Sequence, residues 1–318
     1  MKKIDFKTFK EEEIQELLGK VYEQKAKVNY LHLSDRANED GADLQILEEN
    51  NPIAIAVKIK PSNQDRMQLK DLSDRKENKK IYVYIITPTK KFLEDMKNYT
   101  NVEFWDNNIL NDFILKNSPG LFAWLLFQES ETYKIMIEMT NNFYKLKDSN
   151  EKSEKENVNE MDGKSVEQLW RLKDSSVTIN KLPDYCEELF NEPPLENNEA
   201  YQSYYLNWFM EFIYSLKIEL WNFDSTFKEF YTKNKELVNN SIIQRACRSH
   251  WLYLKSLNSE DFDRIPNREY DSIWSVISIA LNEINEFGRF LESFTDDILS
   301  EYLRDYTLKY NATNPFKE

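Results

Sequence analysis

Two neighbouring segments of the chain carry side chains that could form a small hydrolytic site. Asp43 and Gln45 occupy alternate positions of the segment 42–48, and Lys58 lies near the end of the segment 53–60. Carboxylate and amide oxygens are hard ligands for divalent cations such as Mg²⁺. A lysine beside such an ion can stabilise charge on a phosphorane or orient a water molecule. These residue types therefore point to phosphodiester chemistry.

Two predicted strands and the turn between them position these side chains. The segments 42–48 and 53–60 read as strands, and the four residues 49–52 have the length of a hairpin turn. A turn centred between Asn50 and Asn51 pairs positions whose numbers sum to 101, which places the chosen side chains on one face. The predicted pairs on that face are Asp43 with Lys58 and Gln45 with Ala56.

A basic stretch follows in a chain that is otherwise acidic. Residues 58–91 contain ten basic and four acidic side chains, a net charge of +6, whereas the 318 residues together carry −14. Neutralisation of phosphates supplies much of the affinity of proteins for nucleic acids. The stretch therefore predicts contact with DNA, with Lys60, Arg66 and Lys70 as phosphate ligands. A lysine-rich face that contacts only solvent is the alternative.

The elements around the two strands predict an α/β domain. An amphipathic helix over 5–24 and a strand over 28–33 precede them, and strands alternate with helices afterwards. The later elements are a strand over 81–88, a helix over 90–99, a strand over 101–105 and a helix over 107–117.

The two strand segments resemble a known nuclease family. Gly41-Ala42-Asp43-Leu44, a short turn and Ile55-Ala56-Val57-Lys58 resemble the core of the Mrr-type restriction-endonuclease-like domain, part of the PD-(D/E)XK superfamily. The resemblance covers about residues 5–117, including the apolar run IYVYIITP and the closing segment NVEFWDNNIL. It implies a restriction-endonuclease-like domain over 1–118, with a central mixed sheet flanked by helices. It also implies a metal-dependent DNA endonuclease of bacterial or phage defence.

The same resemblance implies roles for individual residues. Asp43 would bind the Mg²⁺ ion, and Lys58 would be the lysine of the motif. A glutamate of the first helix sometimes assists the metal in such domains. The candidates here are Glu12, Glu13 and Glu16.

One position of the motif departs from the family pattern. Ala56 stands where the family has Glu, Asp or Gln, two residues before the lysine. Gln45 or Glu48 could supply the missing oxygen ligand. We therefore keep open a working nuclease, a degenerate version that binds nucleic acid or acts as a scaffold, and an unrelated fold. An Asp43–Lys58 surface ion pair worth ~0–1 kcal/mol is the alternative without function.

The second part of the chain has a different composition. Residues 131–318 contain 22 basic and 34 acidic side chains, a net charge of −12. The segment 119–165 predicts a long helix and a charged linker, and 166–318 predicts an acidic α-helical domain. Aromatic residues at helical spacing indicate a core or an interface with a protein partner or a second copy. The aromatic run contains Tyr201, Tyr204, Tyr205, Trp208, Phe209, Phe212 and Tyr214.

A second candidate site lies in this helical part. The segment from Arg245 to His250 has the R-x4-6-H spacing of HEPN ribonucleases, which are all-α domains that act as dimers. The resemblance implies that Arg245 stabilises phosphate charge and that His250 takes part in proton transfer with the 2′-hydroxyl. The family prefers a polar residue at the position of Ala246. A histidine that packs against or caps a helix is the alternative.

The rarest residue types exclude several classes of protein. Two cysteines cannot form a four-cysteine zinc site, two histidines exclude a multi-histidine centre, and five glycines include no phosphate-binding loop. No apolar run reaches the ~18–20 residues of a membrane span. The N-terminus lacks the apolar core of a secretory signal. We therefore expect a cytoplasmic protein without a membrane segment.

Overall fold

A computed structural model gives the fold of the chain and resolves two compact units. The first unit contains Met1–Leu126, Pro194–Asn207 and Asp263–Val276, and the second contains Phe127–Pro193, Trp208–Phe262 and Ile277–Glu318. The structure describes residues 2–26, 29–32, 42–47, 52–62, 65, 79–96, 101–149, 161–189, 199–249 and 272–313.

The first unit is built on a mixed sheet of five strands in the order β1-β2-β3-β4-β5. The pairs β1–β2 and β2–β3 are antiparallel, and the pairs β3–β4 and β4–β5 are parallel. The mixed sheet flanked by helices is therefore confirmed. The strands are Tyr30–His32, Leu44–Ile46, Ile53–Lys58, Lys79–Tyr84 and Val102–Trp105.

Three α-helices accompany the sheet among the described residues up to Asn117. They are α1 (Glu11–Ala26), α2 (Lys90–Met96) and α3 (Asn107–Asn117). The predicted helix over 5–24 starts later than expected, because Phe6–Thr8 forms a separate 3₁₀ turn. The Glu13 carboxylate then accepts a 2.7 Å hydrogen bond from the Lys10 N–H, which satisfies an amide at the start of α1.

The two faces of the sheet pack against different partners. Helices α1 and α3 cover the face that carries Ile55, Val57 and Ile81, which are fully buried. The opposite face, here called the aromatic face, packs rings of β4 and β5 against α2. Its cluster contains Ala56, Tyr82, Tyr84, Phe92, Val102 and Phe104. Because side chains alternate along a strand, Gln45 and Lys58 project toward the aromatic face.

All described elements after Asn117 are helices. Their bounds are α4 Pro119–Gln128, α5 Glu131–Ser149, α6 Gly163–Leu189, α7 Glu199–Lys233, α8 Asn240–Ser249 and α9 Ile273–Thr313. No helix in these described segments is long and apolar enough to cross a membrane. The predicted helical character of the second part is therefore confirmed.

The predicted long helix is divided in two. Ser130 interrupts it, because its hydroxyl accepts the Tyr133 N–H at 3.2 Å and caps the start of α5. Helix α6 also begins inside the segment predicted as a linker, where the Asp162 carboxylate accepts the Ser165 N–H at 2.7 Å. Residues 150–160 of that linker lie outside the described residues.

Helices α6 and α9 approach each other closely in the second unit. A Cβ at Gly288 would lie 2.5 Å from the Asn180 Cα, so only glycine fits this crossing. Beside it, Glu292 accepts hydrogen bonds from Lys173 at 3.1 Å and from Asn180 at 2.6 Å. Lys173 also forms a 2.7 Å ion pair with Asp296. The crossing therefore combines backbone proximity with a charged network.

Candidate functional site

Asp43 and Lys58 meet at the point where β2 begins and β3 ends. The Lys58 Nζ lies 3.5 Å from the Asp43 Oδ2, and the two side chains are 28% and 18% exposed. The same oxygen accepts a 2.8 Å hydrogen bond from the Val57 N–H. The Asp43 N–H in turn donates to the Ile55 carbonyl at 2.8 Å. Asp43 thus joins the two strands through both its backbone and its side chain.

The register of β2 and β3 differs from the prediction by two residues. Gln45 pairs with Ala54, so the numbers of paired residues sum to 99 instead of 101. The prediction that Gln45 lies opposite Ala56 was wrong. When the observed pairing is continued past the end of β2, Asp43 comes beside Ala56 and not opposite Lys58 as predicted. A shift of two residues keeps every side chain on its face. Lys58 therefore still reaches Asp43, but along a diagonal.

Ala56 belongs to the core of the aromatic face. Its side chain is fully buried and packs in the cluster that contains Tyr82, Tyr84 and Phe92. The position that carries an acid in the nuclease motif is thus enclosed by aromatic rings. A carboxylate placed there would lose its contact with water and would have to displace packed rings.

The other residues proposed as oxygen ligands have different surroundings. Gln45 lies half-buried on β2, two residues beyond Asp43. Glu13 accepts the Lys10 N–H, and Glu16 forms a 3.0 Å ion pair with Lys20. The remaining two are Glu12, which is exposed, and Glu48, which lies outside the residues that the structure describes.

Glu11 has a role that the sequence did not indicate. Its Oε1 accepts a 2.8 Å hydrogen bond from the Ile59 N–H, which follows the last residue of β3. This bond depends on the tertiary approach of the start of α1 to the end of β3. A pattern of residue types along the chain carries no signal for such an approach.

Among the described residues, Asp43 is the one predicted ligand of Mg²⁺ that carries a carboxylate on the two strands. This ion prefers about six oxygen ligands in octahedral geometry. Asp43 supplies one carboxylate, and its Oδ2 already faces the Val57 N–H and the Lys58 ammonium. Within the described segments, no three His, Cys, Asp or Glu side chains converge on one point. Glu48, the other carboxylate proposed on this hairpin, lies outside the described residues, so Asp43 as a metal ligand stays a prediction.

Exposed lysines follow both of the parallel strands β3 and β4. Lys60 follows β3, and Lys90 and Lys91 follow β4; all three are exposed and form no ion pair with any described residue. The Ile86 N–H donates to the Ile59 carbonyl at 2.8 Å, which holds the two strand ends together. We call Lys60, Lys90 and Lys91 the carboxyl rim. Carboxyl ends of parallel strands are a common location of ligand sites.

Other residues of the basic stretch are placed differently. Lys79, at the opposite end of β4, forms a 2.8 Å ion pair with Glu103. Lys80 is buried, with its Nζ 5.4 Å from the centre of the Tyr82 ring. The predicted phosphate ligands Arg66 and Lys70 lie outside the described residues. The rim therefore contains only part of the predicted patch.

Asp65 anchors the segment that follows the rim residue Lys60. Its carboxylate accepts the Ser62 N–H and hydroxyl, each at 2.8 Å, and the Tyr84 hydroxyl at 3.2 Å. Burial raises the pKa of Tyr84, and the charge of Asp65 adds to that effect. The carboxylate is itself buried, and its hydrogen bonds fix the chain that follows the rim.

The second candidate site is only partly described. Arg245 lies on α8 and forms a 3.5 Å ion pair with Asp297 of α9. His250 lies outside the described residues, so the predicted pair of Arg245 and His250 is not placed. Cys247 of the same helix is buried, as is Cys186, whose pKa burial raises to about 12.

Comparisons with known proteins add no relative. No protein-family model, no curated protein and no solved structure matches the chain.

Proposed function

We propose that residues 2–117 form a restriction-endonuclease-like domain that binds DNA through the carboxyl rim. The observation that carries the proposal is that three exposed lysines without ion pairs to described residues, Lys60, Lys90 and Lys91, follow the joined ends of β3 and β4. A mixed sheet flanked by helices is also the arrangement that the Mrr-type resemblance implies. That resemblance is likewise what supports a role in bacterial or phage defence.

In this proposal the Asp43–Lys58 pair is the degenerate remnant of a hydrolytic site. The Asp43 carboxylate holds the Val57 N–H and Lys58, and the position of the missing acid is sealed by aromatic rings. The pair therefore stabilises the pairing of β2 with β3. DNA is bound by its phosphates and is not cut through Asp43.

The salt dependence of DNA affinity tests the rim. For a duplex titrated by fluorescence anisotropy, we expect the Lys60→Gln/Lys90→Gln/Lys91→Gln variant to reduce the slope of log K against log salt by about three units, because each phosphate contact contributes about one. The matched control removes three exposed lysines from the helical part. An equal slope in the wild type and the rim variant would refute the proposal. The control is Lys145→Gln/Lys164→Gln/Lys235→Gln.

A nicking assay with supercoiled plasmid tests the remnant site. With Mg²⁺ or Mn²⁺ present, we expect the wild type to nick no faster than Asp43→Asn, because the described residues of the two strands supply a single carboxylate, Asp43. Metal-dependent nicking that disappears in both Asp43→Asn and Lys58→Met would instead establish a working nuclease.

A specific observation favours a second function, the docking of a protein partner on α7. Tyr214, Ile218 and Trp221 are 65%, 51% and 62% exposed, and their spacing places them on one stripe of the helix. Large exposed aromatic residues of this kind dominate many interfaces. The net charge of −12 over residues 131–318 disfavours a second copy and favours a basic amphipathic helix as the partner.

Calorimetry with model peptides tests this partner. We expect a synthetic Lys/Leu amphipathic helix to bind the wild type and Trp170→Asp, and to lose binding in Tyr214→Asp/Trp221→Asp. A Glu/Leu peptide of the same length is the charge control. Equal binding by both peptides, or a dimer in sedimentation that the double variant abolishes, would contradict a basic partner.

A further inference from the structure

Two isoleucines project from the edge of the sheet that carries the rim. Ile59 is 50% exposed and Ile86 is 45% exposed, whereas the neighbouring Ile85 is buried. The Ile86 N–H donates to the Ile59 carbonyl at 2.8 Å, so the two residues are direct neighbours across the strand ends. We call these two exposed residues, which one backbone hydrogen bond joins, the apolar ridge.

The backbone of this ridge is held firmly. The Ile59 N–H donates to Glu11 at 2.8 Å, and the Ile59 carbonyl accepts from Ile86, so both polar groups of Ile59 are satisfied. The Ile85 N–H also donates to the Lys58 carbonyl at 3.1 Å. Two exposed apolar side chains are thus presented on a fixed support, which reduces the entropy lost when they contact a ligand.

Lysines surround the ridge. Lys58 and Lys60 flank Ile59 in the chain, and Lys90 and Lys91 follow Ile86 by four and five residues. Two acidic groups at the end of β3 have partners, since Asp43 pairs with Lys58 and Glu11 accepts the Ile59 N–H. An apolar ridge inside a basic rim complements a ligand with anionic edges and an apolar interior. Duplex DNA, with phosphates beside stacked bases, has this composition.

We infer that Ile59 and Ile86 form a wedge that contacts the bases of bound DNA and opens a base step. This inference rests on the proposed binding of DNA at the rim. Apolar side chains inserted between base pairs unstack them at a cost of a few kcal/mol, which the added contact offsets. The rim lysines determine the salt dependence of binding, and the wedge determines the distortion of the duplex. The two contributions are separable by experiment.

Duplexes that carry single 2-aminopurine bases at successive positions report the opening. Unstacking raises the fluorescence of this base, so we expect wild-type protein to raise it at one or two positions. We expect Ile59→Ala/Ile86→Ala to abolish the rise, to weaken binding roughly tenfold and to keep the wild-type salt slope, because its lysines are intact. Ile59→Val/Ile86→Val, which keeps branched apolar side chains, retains the rise.

Controls separate the wedge from the proposed function and from general loss of structure. The matched variant Leu31→Ala/Leu47→Ala removes two exposed apolar side chains elsewhere on the same sheet and leaves the fluorescence rise intact. An equal rise in wild type and Ile59→Ala/Ile86→Ala would overturn the wedge while DNA binding stands. No salt-dependent binding by the wild type would refute the proposed function itself. Binding to phosphatidylserine vesicles but not to duplexes would overturn both.

Discussion

At the scale of single residues, one small side chain decides what the Asp43 site can do. Ala56 is fully buried against Tyr82 and Tyr84, so the position next to Asp43 belongs to the packing of the aromatic face. The surrounding rings therefore give a packing reason for the alanine at this position. Restoring the motif would require repacking of several rings.

Ala56→Glu is the direct test of this explanation. We expect it to lower the free energy of unfolding by about 3–5 kcal/mol, because it forces a large charged side chain into the packed aromatic cluster. Urea denaturation followed by circular dichroism measures the change.

Ala54→Glu is the matched control, since Ala54 lies two residues earlier on the same face and is only half-buried. A loss of about 1 kcal/mol or less is expected there. A stable Ala56→Glu protein that gains Mg²⁺ binding by calorimetry would contradict the assignment of Ala56 to the core.

Glu292 contributes a pH-dependent part of the stability of the second unit. Burial acts to raise the pKa of Glu292, but hydrogen bonds from Lys173 and Asn180 outweigh it and hold the pKa below the ordinary value of 4.5. A carboxyl whose folded pKa is depressed stabilises the fold above its unfolded pKa. That contribution is lost as the pH falls through the folded pKa.

Glu292→Gln should therefore flatten the pH dependence of stability. Between about pH 5 and about pH 3, the wild type is expected to lose stability more steeply than the variant. Thermal unfolding across this range measures both slopes, and Glu236→Gln, an exposed glutamate, is the control. Parallel curves for wild type and Glu292→Gln would show that the network with Lys173 adds nothing.

At the scale of elements, alternation along β2 and β3 was enough to place Asp43 and Lys58 on one face but not to fix their pairing. Alternation has a period of two, so two registers that differ by two residues show the same pattern. The sequence also did not predict where β4 ends. Its apolar run continues to Ile86, but the strand ends at Tyr84, opposite the last residue of β3.

Helical periodicity predicted α3 well and missed breaks that depend on single capping groups. The expected helix 107–117 agrees with α3, which Asp106 caps by accepting the N–H groups of Asn108 and Ile109. The break before α5 depends on the Ser130 hydroxyl. A serine between two glutamates, Glu129 and Glu131, is compatible with helix and cap alike.

The crossing of α6 and α9 gives a prediction at this scale. Gly288→Ala is expected to lower the free energy of unfolding by about 1–3 kcal/mol, because the new Cβ would meet the backbone of Asn180 and force the helices apart. Chemical denaturation measures the loss.

Gly163→Ala provides the control for Gly288→Ala. No atom lies within 4 Å of a Cβ at Gly163, so the change there is expected to stay within about 0.5 kcal/mol. Equal effects at the two glycines would show that helix propensity, and not the close crossing, determines the result.

At the scale of the whole molecule, charge separates the two parts of the chain. Residues 131–318 carry −12, whereas the stretch 58–91 carries +6. A polyanion is therefore attracted to one region and repelled by most of the rest. Composition alone predicted this asymmetry. The sequence did not indicate that Lys60 and the pair Lys90 and Lys91 follow adjacent strand ends, because this depends on the parallel pairing of β3 and β4.

Hydrogen–deuterium exchange of the full chain, with and without a duplex of about 20 base pairs, tests DNA binding at the rim most directly. We expect amides of residues 58–62 and 85–92 to gain protection at saturating DNA, and amides of α6 and α9 to exchange as before. Protection confined to the helical part, or absent from both rim segments while DNA is bound, would contradict the account.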